Sequence, residues 1–153
     1  SLVVVSEPNA SRRKLATQSG LGRVIDPGQE DLERVVMELT NGIGADVTFE
    51  VAGQSETIQQ AIDVTRQGGR VVQVGVPTGK VTVEIRKVII GELEIIGEHA
   101  TQWDFGTAIE MIENRKVDMT SLVTHTLPLD QALEGMHLAM EGGGAVKVML
   151  TNE

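Results

Sequence analysis

The sequence predicts an α/β fold built on a doubly wound parallel sheet. Short β-branched runs alternate along the chain with segments of helical periodicity. The connections between them are short, and no linker, internal repeat or low-complexity segment interrupts them. Strands and helices that alternate in this way form a parallel sheet that is covered by helices.

The first half of the chain contains three strands and three helices in alternation. Clustered β-branched residues mark the strands, and apolar residues three and four positions apart mark the helices. Asn9 or Ser11 can cap the first helix, which ends before Gly20. In chain order, the six elements are predicted at Leu2–Ser6, Ala10–Ser19, Arg23–Ile25, Asp31–Thr40, Asp46–Val51 and Ser55–Arg66.

The second half begins where two adjacent glycines turn the chain into a further strand. Strands are predicted at Arg70–Val74, Val81–Ile85, Leu93–Gly97 and Val146–Leu150, and helices at Asp104–Asn114 and Pro128–Met140. The segment Val81–Ile85 alternates apolar and polar residues, which is typical of an edge strand. The helix Asp104–Asn114 carries an apolar stripe that we expect to face inward. The residues of that stripe are Phe105, Ala108, Ile109 and Ile112.

Composition argues against nucleic-acid and membrane partners. The chain has 13 Lys and Arg against 22 Asp and Glu, a net charge of −9 at pH 7. Such a surface repels a phosphate backbone, and aromatic residues at 2% are too few for base stacking. The absence of cysteine excludes a disulfide or a thiolate metal site within the chain. Because no apolar run reaches the ~20 residues of a membrane helix and no leader is visible, we expect a soluble, cytoplasmic domain.

Glu7 follows directly after the first strand, at the carboxyl end where parallel sheets bind ligands. A carboxylate there can accept hydrogen bonds from both hydroxyls of an adenosine ribose and repels a 2′-phosphate, which favours NAD over NADP. The alternative is a helix-capping acid at the positive end of the next helix. The glycine-rich turn that accompanies a ribose-binding acid normally lies roughly 20 residues upstream. Only six residues precede Glu7, and no other glycine cluster has the required spacing.

Five segments form an ordered set that is more specific than any one of them. They are Val3–Glu7 with Arg12, Phe49–Gly53, Gly68–Gly75, Leu122–His125 and Lys147–Val148. The set resembles the zinc-dependent medium-chain alcohol dehydrogenases, in the branch of the sorbitol, butanediol and threonine dehydrogenases, over essentially the whole chain. The resemblance implies that residues 1–153 are a C-terminal part of a Rossmann-type NAD-binding domain, truncated so that the first strand and glycine-rich turn are absent. Residues 141–153 would return toward a missing N-terminal catalytic domain, which carries the zinc ligands and the proton relay.

The resemblance also implies a set of cofactor-binding positions, with no catalytic and no metal-binding residue in this chain. Glu7 corresponds to the ribose-binding acid, Arg12 to a basic residue beside the adenosine, and Lys147 to one near the pyrophosphate. Pro8 and Ala52 correspond to apolar walls of the adenine slot, and backbone groups at three strand ends correspond to nicotinamide contacts. The full set is Glu7, Pro8, Arg12, Val51, Ala52, Gly53, Val74, Gly75, Val76, Glu98, His99, Ala100 and Lys147.

Purely structural interpretations remain open for these positions. Arg12 is also an ordinary exposed helix charge, and small apolar residues at strand ends commonly pack. Gly53 suits a helix-entry turn as well as a close approach to a ligand. We interpret His99 as a cover over the nicotinamide face rather than as a base, and His125 and Trp103 as structural.

The function implied by the resemblance is that of an NAD-dependent alcohol dehydrogenase. A secondary alcohol or polyol would transfer a hydride to NAD, with zinc as the second cofactor of the complete protein. This chain alone would be inactive, and the complete protein would be a homodimer or tetramer. Three alternatives remain: a zinc-free quinone reductase of the same superfamily, a nucleotide-sensing module without catalytic activity, and a methyltransferase domain. The quinone reductases usually prefer NADPH, which disagrees with Glu7.

The absent first strand has a physical consequence. It is central in this fold, so its loss leaves the strands Leu2–Ser6 and Asp46–Val51 facing a gap. Unpaired buried backbone groups cost ~1–3 kcal/mol each, so that several rival the ~5–15 kcal/mol that stabilises a domain. We expect that the two strands pair directly, that a strand of another chain fills the gap, or that the fragment is marginally stable. The resemblance also implies a dimer near Val81–Ile85 and Leu93–Gly97, because alternating apolar strands at an edge invite pairing.

Overall fold

The computed structural model describes residues 2–20, 22–99, 104–141 and 144–152. The elements, in chain order, are β1 (Val4–Ser6), α1 (Ala10–Gln18), β2 (Arg23–Ile25), α2 (Leu32–Leu39), β3 (Ala45–Glu50), α3 (Ser55–Val64), β4 (Thr65–Gln73), α4 (Ile85–Ile90), β5 (Glu94–Gly97), α5 (Phe105–Glu113), β6 (Val123–Pro128), α6 (Ala132–Glu141) and β7 (Lys147–Thr151). Every strand ladder among these residues is parallel, which confirms the predicted α/β class. Two compact units make up the chain: unit 1 is Ser1–Gln29 with Trp103–Glu153, and unit 2 is Glu30–Gln102.

Unit 2 contains a three-stranded sheet in the order β3-β4-β5. Its core is formed by Ala61 and Ile62 of α3 against Val71 of β4, because these apolar residues fall on the helix stripe and strand face that meet. The register places Glu50 opposite Gln73 in β3 and β4, and β5 ends level with them. The carboxyl ends of all three strands therefore lie side by side at one edge of the sheet.

Unit 1 contains two separate parallel pairs, β1 with β2 and β6 with β7. Helix α1 begins where the sequence predicts, because the Asn9 side-chain oxygen accepts hydrogen bonds from the Ser11 and Arg12 nitrogens at 3.0 and 3.1 Å. Helix α6 packs on β7 through Gly135, where a Cβ atom would lie 3.3 Å from the side chains of Val148 and Leu150. A small residue at that position lets the helix approach the strands closely.

The predicted edge strand at Val81–Ile85 is wrong. Residues 81–84 have no regular structure, and Ile85 begins α4. The Glu84 nitrogen donates to Oε1 of Gln59 on α3 at 2.8 Å, so this segment hydrogen-bonds to a helix instead of extending the sheet. Val83 packs against the core cluster of unit 2.

Two further expectations differ from the structure in unit 1. The apolar stripe of α5 does not face inward: none of its residues is buried, and Phe105 is 67% exposed. No described element of unit 1 packs closely on that helix, so its periodicity finds no apolar surface to cover. Strand β6 was not predicted, because Val123–Pro128 mixes polar and apolar residues and is ordered by its ladder with β7.

The strand pairing tests whether the two strands beside the absent first strand pair with each other. β1 pairs with β2 and β3 pairs with β4, and no ladder among the described residues joins β1 to β3. Direct pairing of the two inner strands, one of three expected outcomes, is therefore not found. Within the described ranges, no helix combines the length and the hydropathy that crossing a bilayer requires.

Candidate functional site

Three of the predicted cofactor-binding segments lie together at the carboxyl edge of the unit 2 sheet. They are the turns that follow β3, β4 and β5, and they contain residues 51–53, 74–76 and 98–99. The Val74 and Gly75 nitrogens donate to the Glu50 carbonyl at 2.8 and 2.9 Å, and the Glu98 nitrogen donates to the Gln73 carbonyl at 2.9 Å. Parallel strands that end in register thus bring together residues far apart in sequence.

A buried carboxylate that is not among the predicted site residues organises this edge. Glu50 is the last residue of β3 and is 3% exposed. Its Oε1 accepts hydrogen bonds from the Ala52 nitrogen, the Gly53 nitrogen and the Thr57 hydroxyl at 2.8, 2.9 and 2.8 Å. Its Oε2 accepts from the Gly53 nitrogen at 3.1 Å and from the Gln73 side-chain amide.

These donors keep Glu50 ionised although it is buried. Burial by itself raises the pKa of the carboxyl group, but hydrogen bonds from Thr57, Gln73, Ala52 and Gly53 outweigh it, so the pKa lies below its ordinary value. No lysine, arginine or histidine in the described ranges forms an ion pair with it. Neutral dipoles alone hold the charge.

Gly53 and Gly75 let the turns after β3 and β4 approach each other. Gly53 has a φ of +69°, a conformation that other residues rarely adopt, and a Cβ there would lie 2.9 Å from the Val76 carbonyl group. A Cβ on Gly75 would lie 2.8 Å from Glu50 Oε2 and closer still to the Gly53 nitrogen. In this structure, the predicted close approach at Gly53 is made to the neighbouring turn.

The outer surface of these turns is apolar and exposed. Val51 and Val76 are 69% and 72% exposed, and Ala52 is exposed beside them. Glu98 and His99 are exposed after β5, and Ala100 lies outside the described residues. The edge therefore presents apolar side chains and backbone groups over a polar, hydrogen-bonded interior.

Unit 1 contains the predicted ribose-binding acid. Glu7 is half-buried directly after β1, and its Oε1 accepts a hydrogen bond from the Asn9 nitrogen at 2.7 Å. Its Oε2 has no donor among the described residues, so this oxygen remains available to a ligand. Pro8 and Arg12 are exposed beside it, and Lys147 is exposed at the start of β7.

Arg13, rather than Arg12, is the basic residue that shapes this loop. Its Nη1 donates to the carbonyl oxygens of Glu7, at 3.0 Å, and of Pro8. Its Nη2 lies 2.7 Å from Oδ2 of Asp26, which follows β2. Arg13 thereby ties together the loops after two adjacent strands. The sequence signal was the pair of adjacent arginines, of which the helical register turns only the second inward.

The described residues do not fit a zinc site. No group of three or more His, Cys, Asp or Glu side chains among them is arranged to hold a metal ion. An open groove of about 510 Å³ in unit 2 lies near Thr65 and Leu93, at the opposite ends of β4 and β5 from the predicted cofactor segments. It is lined by α2, α3 and α4 and contains none of the predicted site residues.

Comparison with known proteins identifies a family and several relatives. The model of the zinc-binding dehydrogenase family matches residues 2–114. The erythritol/L-threitol dehydrogenase of Mycolicibacterium smegmatis is 32% identical over 149 residues, which are 97% of this chain and 41% of that protein. The human (Homo sapiens) sorbitol dehydrogenase is 32% identical over 97% of this chain and 42% of its own length.

Among solved structures, the alcohol dehydrogenase TADH from Thermus sp. ATN1 superposes with a TM-score of 0.89 at 25% identity. The superposition covers 99% of this chain and 44% of that one. The chain thus spans less than half the length of the relatives that it matches. Its sequence and its fold together show that the chain belongs to the zinc-binding dehydrogenase family.

Proposed function

We propose that this chain is the cofactor-binding part of an NAD-dependent dehydrogenase that oxidises a secondary alcohol or polyol. Relatives named sorbitol and erythritol/L-threitol dehydrogenases support the substrate class. NAD, when bound, accepts a hydride from the alcohol carbon. The residues of this chain bind and orient the cofactor, so the chain alone is inactive. Zinc in the complete enzyme takes its ligands from other residues.

The observation that carries the proposal is the free oxygen of Glu7. Its Oε1 is held by the Asn9 nitrogen, which fixes the carboxylate at the end of β1 while Oε2 remains open. Arg13 fixes the backbone of the same loop through the Glu7 and Pro8 carbonyl oxygens. A fixed carboxylate with an open oxygen suits paired ribose hydroxyls and repels a 2′-phosphate. NAD is therefore preferred to NADP.

The turns of unit 2 would orient the nicotinamide. Val51 and Val76 present apolar surface that excludes water from one face of the ring. The Val74 carbonyl oxygen has no hydrogen-bond donor among the described residues, so it can accept from the carboxamide group. Exposed His99 follows β5 beside this edge and covers the ring in the proposed complex.

The test is the affinity of the complete dehydrogenase for NAD and NADP, measured by titration calorimetry. Replacing Glu7→Ser removes the charged acceptor, and hydrogen bonds to charged groups contribute about 1.5–3 kcal/mol each. We expect NAD to bind about tenfold to a hundredfold more weakly, while NADP binds as well or better. Glu38→Gln, which removes an exposed partner of Arg34 on α2, is the control and leaves both affinities unchanged. Tighter binding of NADP by the unmodified protein, or an unchanged NAD affinity in the Glu7 variant, would contradict the proposal.

We further propose a cytoplasmic homodimer or tetramer that joins through α4 and β5. Ile89 and Ile90 of α4 and Ile95 and Ile96 of β5 are exposed, and β5 is paired only with β4 in the described sheet. An apolar edge strand of this kind favours pairing with a second copy. Light scattering should give the mass of a dimer or larger, and Ile95→Lys should reduce it. A monomeric unmodified protein would rule out this assembly.

A further inference from the structure

We propose that Glu50 and Gln73 form a positioning pair that fixes the three strand-end turns of unit 2 for the nicotinamide half of the cofactor. This inference rests on the proposed function. It assigns a purpose to Glu50, which alone among the described residues of this edge combines deep burial with a charge.

The pair connects all three turns through hydrogen bonds. The Glu50 carboxylate holds the turn after β3 through the Ala52 and Gly53 nitrogens. The Gln73 amide donates to that carboxylate and also to the Gly75 carbonyl oxygen at 2.7 Å, which holds the turn after β4. The Gln73 carbonyl oxygen accepts from the Glu98 nitrogen, which begins the turn after β5.

The chemistry of the site requires a carboxylate. Both oxygens of Glu50 accept, and together they serve two backbone nitrogens, one hydroxyl and one amide. A glutamine at this position has a single acceptor oxygen, and its NH₂ group would oppose either the NH₂ group of Gln73 or the Gly53 nitrogen. An apolar residue would leave the nitrogens of Ala52 and Gly53 without an acceptor.

The neutral donors around Glu50 more than offset the effect of burial, so the ionised carboxylate is the stable form. An apolar side chain could not replace it, because the Ala52 and Gly53 nitrogens would lose their acceptor. Charged groups held in this way concentrate at functional sites, and this one lies at the carboxyl ends of parallel strands, where such sheets bind ligands. This arrangement is consistent with a requirement for one defined backbone geometry.

The experiment compares NAD with ADP-ribose, which shares the adenosine and pyrophosphate but lacks the nicotinamide. In the complete dehydrogenase, Glu50→Gln should raise the Kd for NAD at least tenfold, because it leaves buried donors unpaired, and should leave the Kd for ADP-ribose within about twofold. The double variant Glu50→Gln with Gln73→Glu reverses the direction of the hydrogen bond between the two positions and should recover part of the NAD affinity. Asp46→Asn is the control, because it removes an exposed carboxylate of the same strand that pairs with Arg66.

The outcomes separate this inference from the proposed function. An unmodified protein that binds neither NAD nor ADP-ribose refutes the proposed function. Equal losses for NAD and ADP-ribose in Glu50→Gln, or no loss for NAD, refute the positioning role. If Glu50→Gln does not fold, Gln73→Leu provides the same comparison with the other donors to Glu50 in place.

Hydrogen exchange in the complete dehydrogenase, measured without any cofactor, tests the pair independently of binding. Glu50→Gln should speed exchange at Ala52 and Gly53, which lose their acceptor directly. It should also speed exchange at Gly75, whose nitrogen donates to the Glu50 carbonyl oxygen, and at Glu98, whose nitrogen donates to the Gln73 carbonyl oxygen. Faster exchange confined to Ala52 and Gly53 would show that the three turns are not coupled and would overturn the inference.

Discussion

Replacement of Gly75 by alanine should destabilise the chain through a clash between two turns. A Cβ at this position would lie 2.8 Å from Glu50 Oε2 and from the Val51 carbonyl carbon, whereas ordinary contact begins at 3.4 Å. The turns would have to separate by more than about half an ångström, which strains the hydrogen bonds that Glu50 accepts. Overpacking of this kind costs about 1–3 kcal/mol, a large share of the ~5–15 kcal/mol expected for a domain.

The measurement is urea unfolding of the unmodified chain and of two variants, followed by far-ultraviolet circular dichroism. Gly75→Ala should lower the free energy of unfolding by about 1–3 kcal/mol. Gly79→Ala is the matched control, because its Cβ would meet no atom within 4 Å; it should change the free energy by less than about 0.5 kcal/mol. A Gly75 variant as stable as the Gly79 variant would refute the close approach of the two turns.

Three further changes follow from packing, ion pairing and ionisation. Ile62 is 2% exposed in the core of unit 2. Urea titration should show that Ile62→Ala lowers the free energy of unfolding by about 2–5 kcal/mol and Ile62→Val by about 0.5–1.5 kcal/mol. Equal effects of the two substitutions would contradict the position of Ile62 in the core. Arg13→Met keeps the aliphatic stem but removes the bonds to the Glu7 and Pro8 carbonyls and to Asp26, and should cost about 1–3 kcal/mol, whereas the exposed Arg12→Met should cost almost nothing. Folding lowers the pKa of Glu50, so its ionisation stabilises the folded chain fully above the ordinary glutamate pKa of about 4.3, and this stabilisation is lost as the pH falls through the lower pKa of the folded state. Glu50→Gln should therefore reduce the dependence of the free energy of unfolding on pH in that acidic range. An unchanged pH profile would argue against the buried carboxylate.

Local signals in the sequence were sufficient for most elements of the first half of the chain. The predicted strand at Arg23–Ile25 has the same bounds as β2, and α3 begins at the predicted Ser55. Helix α2 is bounded by Asp31, whose side chain accepts from the Arg34 nitrogen at 2.7 Å, and by Thr40. These boundaries depend on residues within a few positions of each other, so a reader of the sequence can find them.

Contacts between distant residues decided the elements that the sequence did not reveal. The alternation in Val81–Ile85 favours a strand locally, but a hydrogen bond from the Glu84 nitrogen to Gln59, 25 positions away, fixes the segment beside α3. The stripe of α5 has good helical periodicity, yet none of its residues is buried. Periodicity shows which face of an element is apolar and does not show whether a partner exists to bury it.

The residues of the candidate site also differ in whether local or distant residues determine their role. Glu7 could be singled out because its position after a strand is a local feature, and the structure leaves one of its oxygens open. Glu50 lies within the segment Phe49–Gly53, but its role depends on Gln73, 23 positions away. The local signal was limited: Glu50 ends a predicted strand, and Gly53 follows three positions later.

Glu50 and Gly75 depend on each other structurally. The absence of a side chain at Gly75 creates the space in which Glu50 Oε2 lies, and the carboxylate supplies the acceptor that the Gly53 nitrogen needs once the turns are so close. Either residue without the other would be unfavourable, since the glycine alone leaves unpaired nitrogens and the carboxylate alone has no room. Substitutions at the two positions should therefore be non-additive. Gly75→Ala should cost less in a Glu50→Ala background than in the unmodified chain, because Glu50 Oε2, one of the atoms that the new methyl group meets at 2.8 Å, has been removed. Additive losses in the free energy of unfolding would show that the two residues act independently.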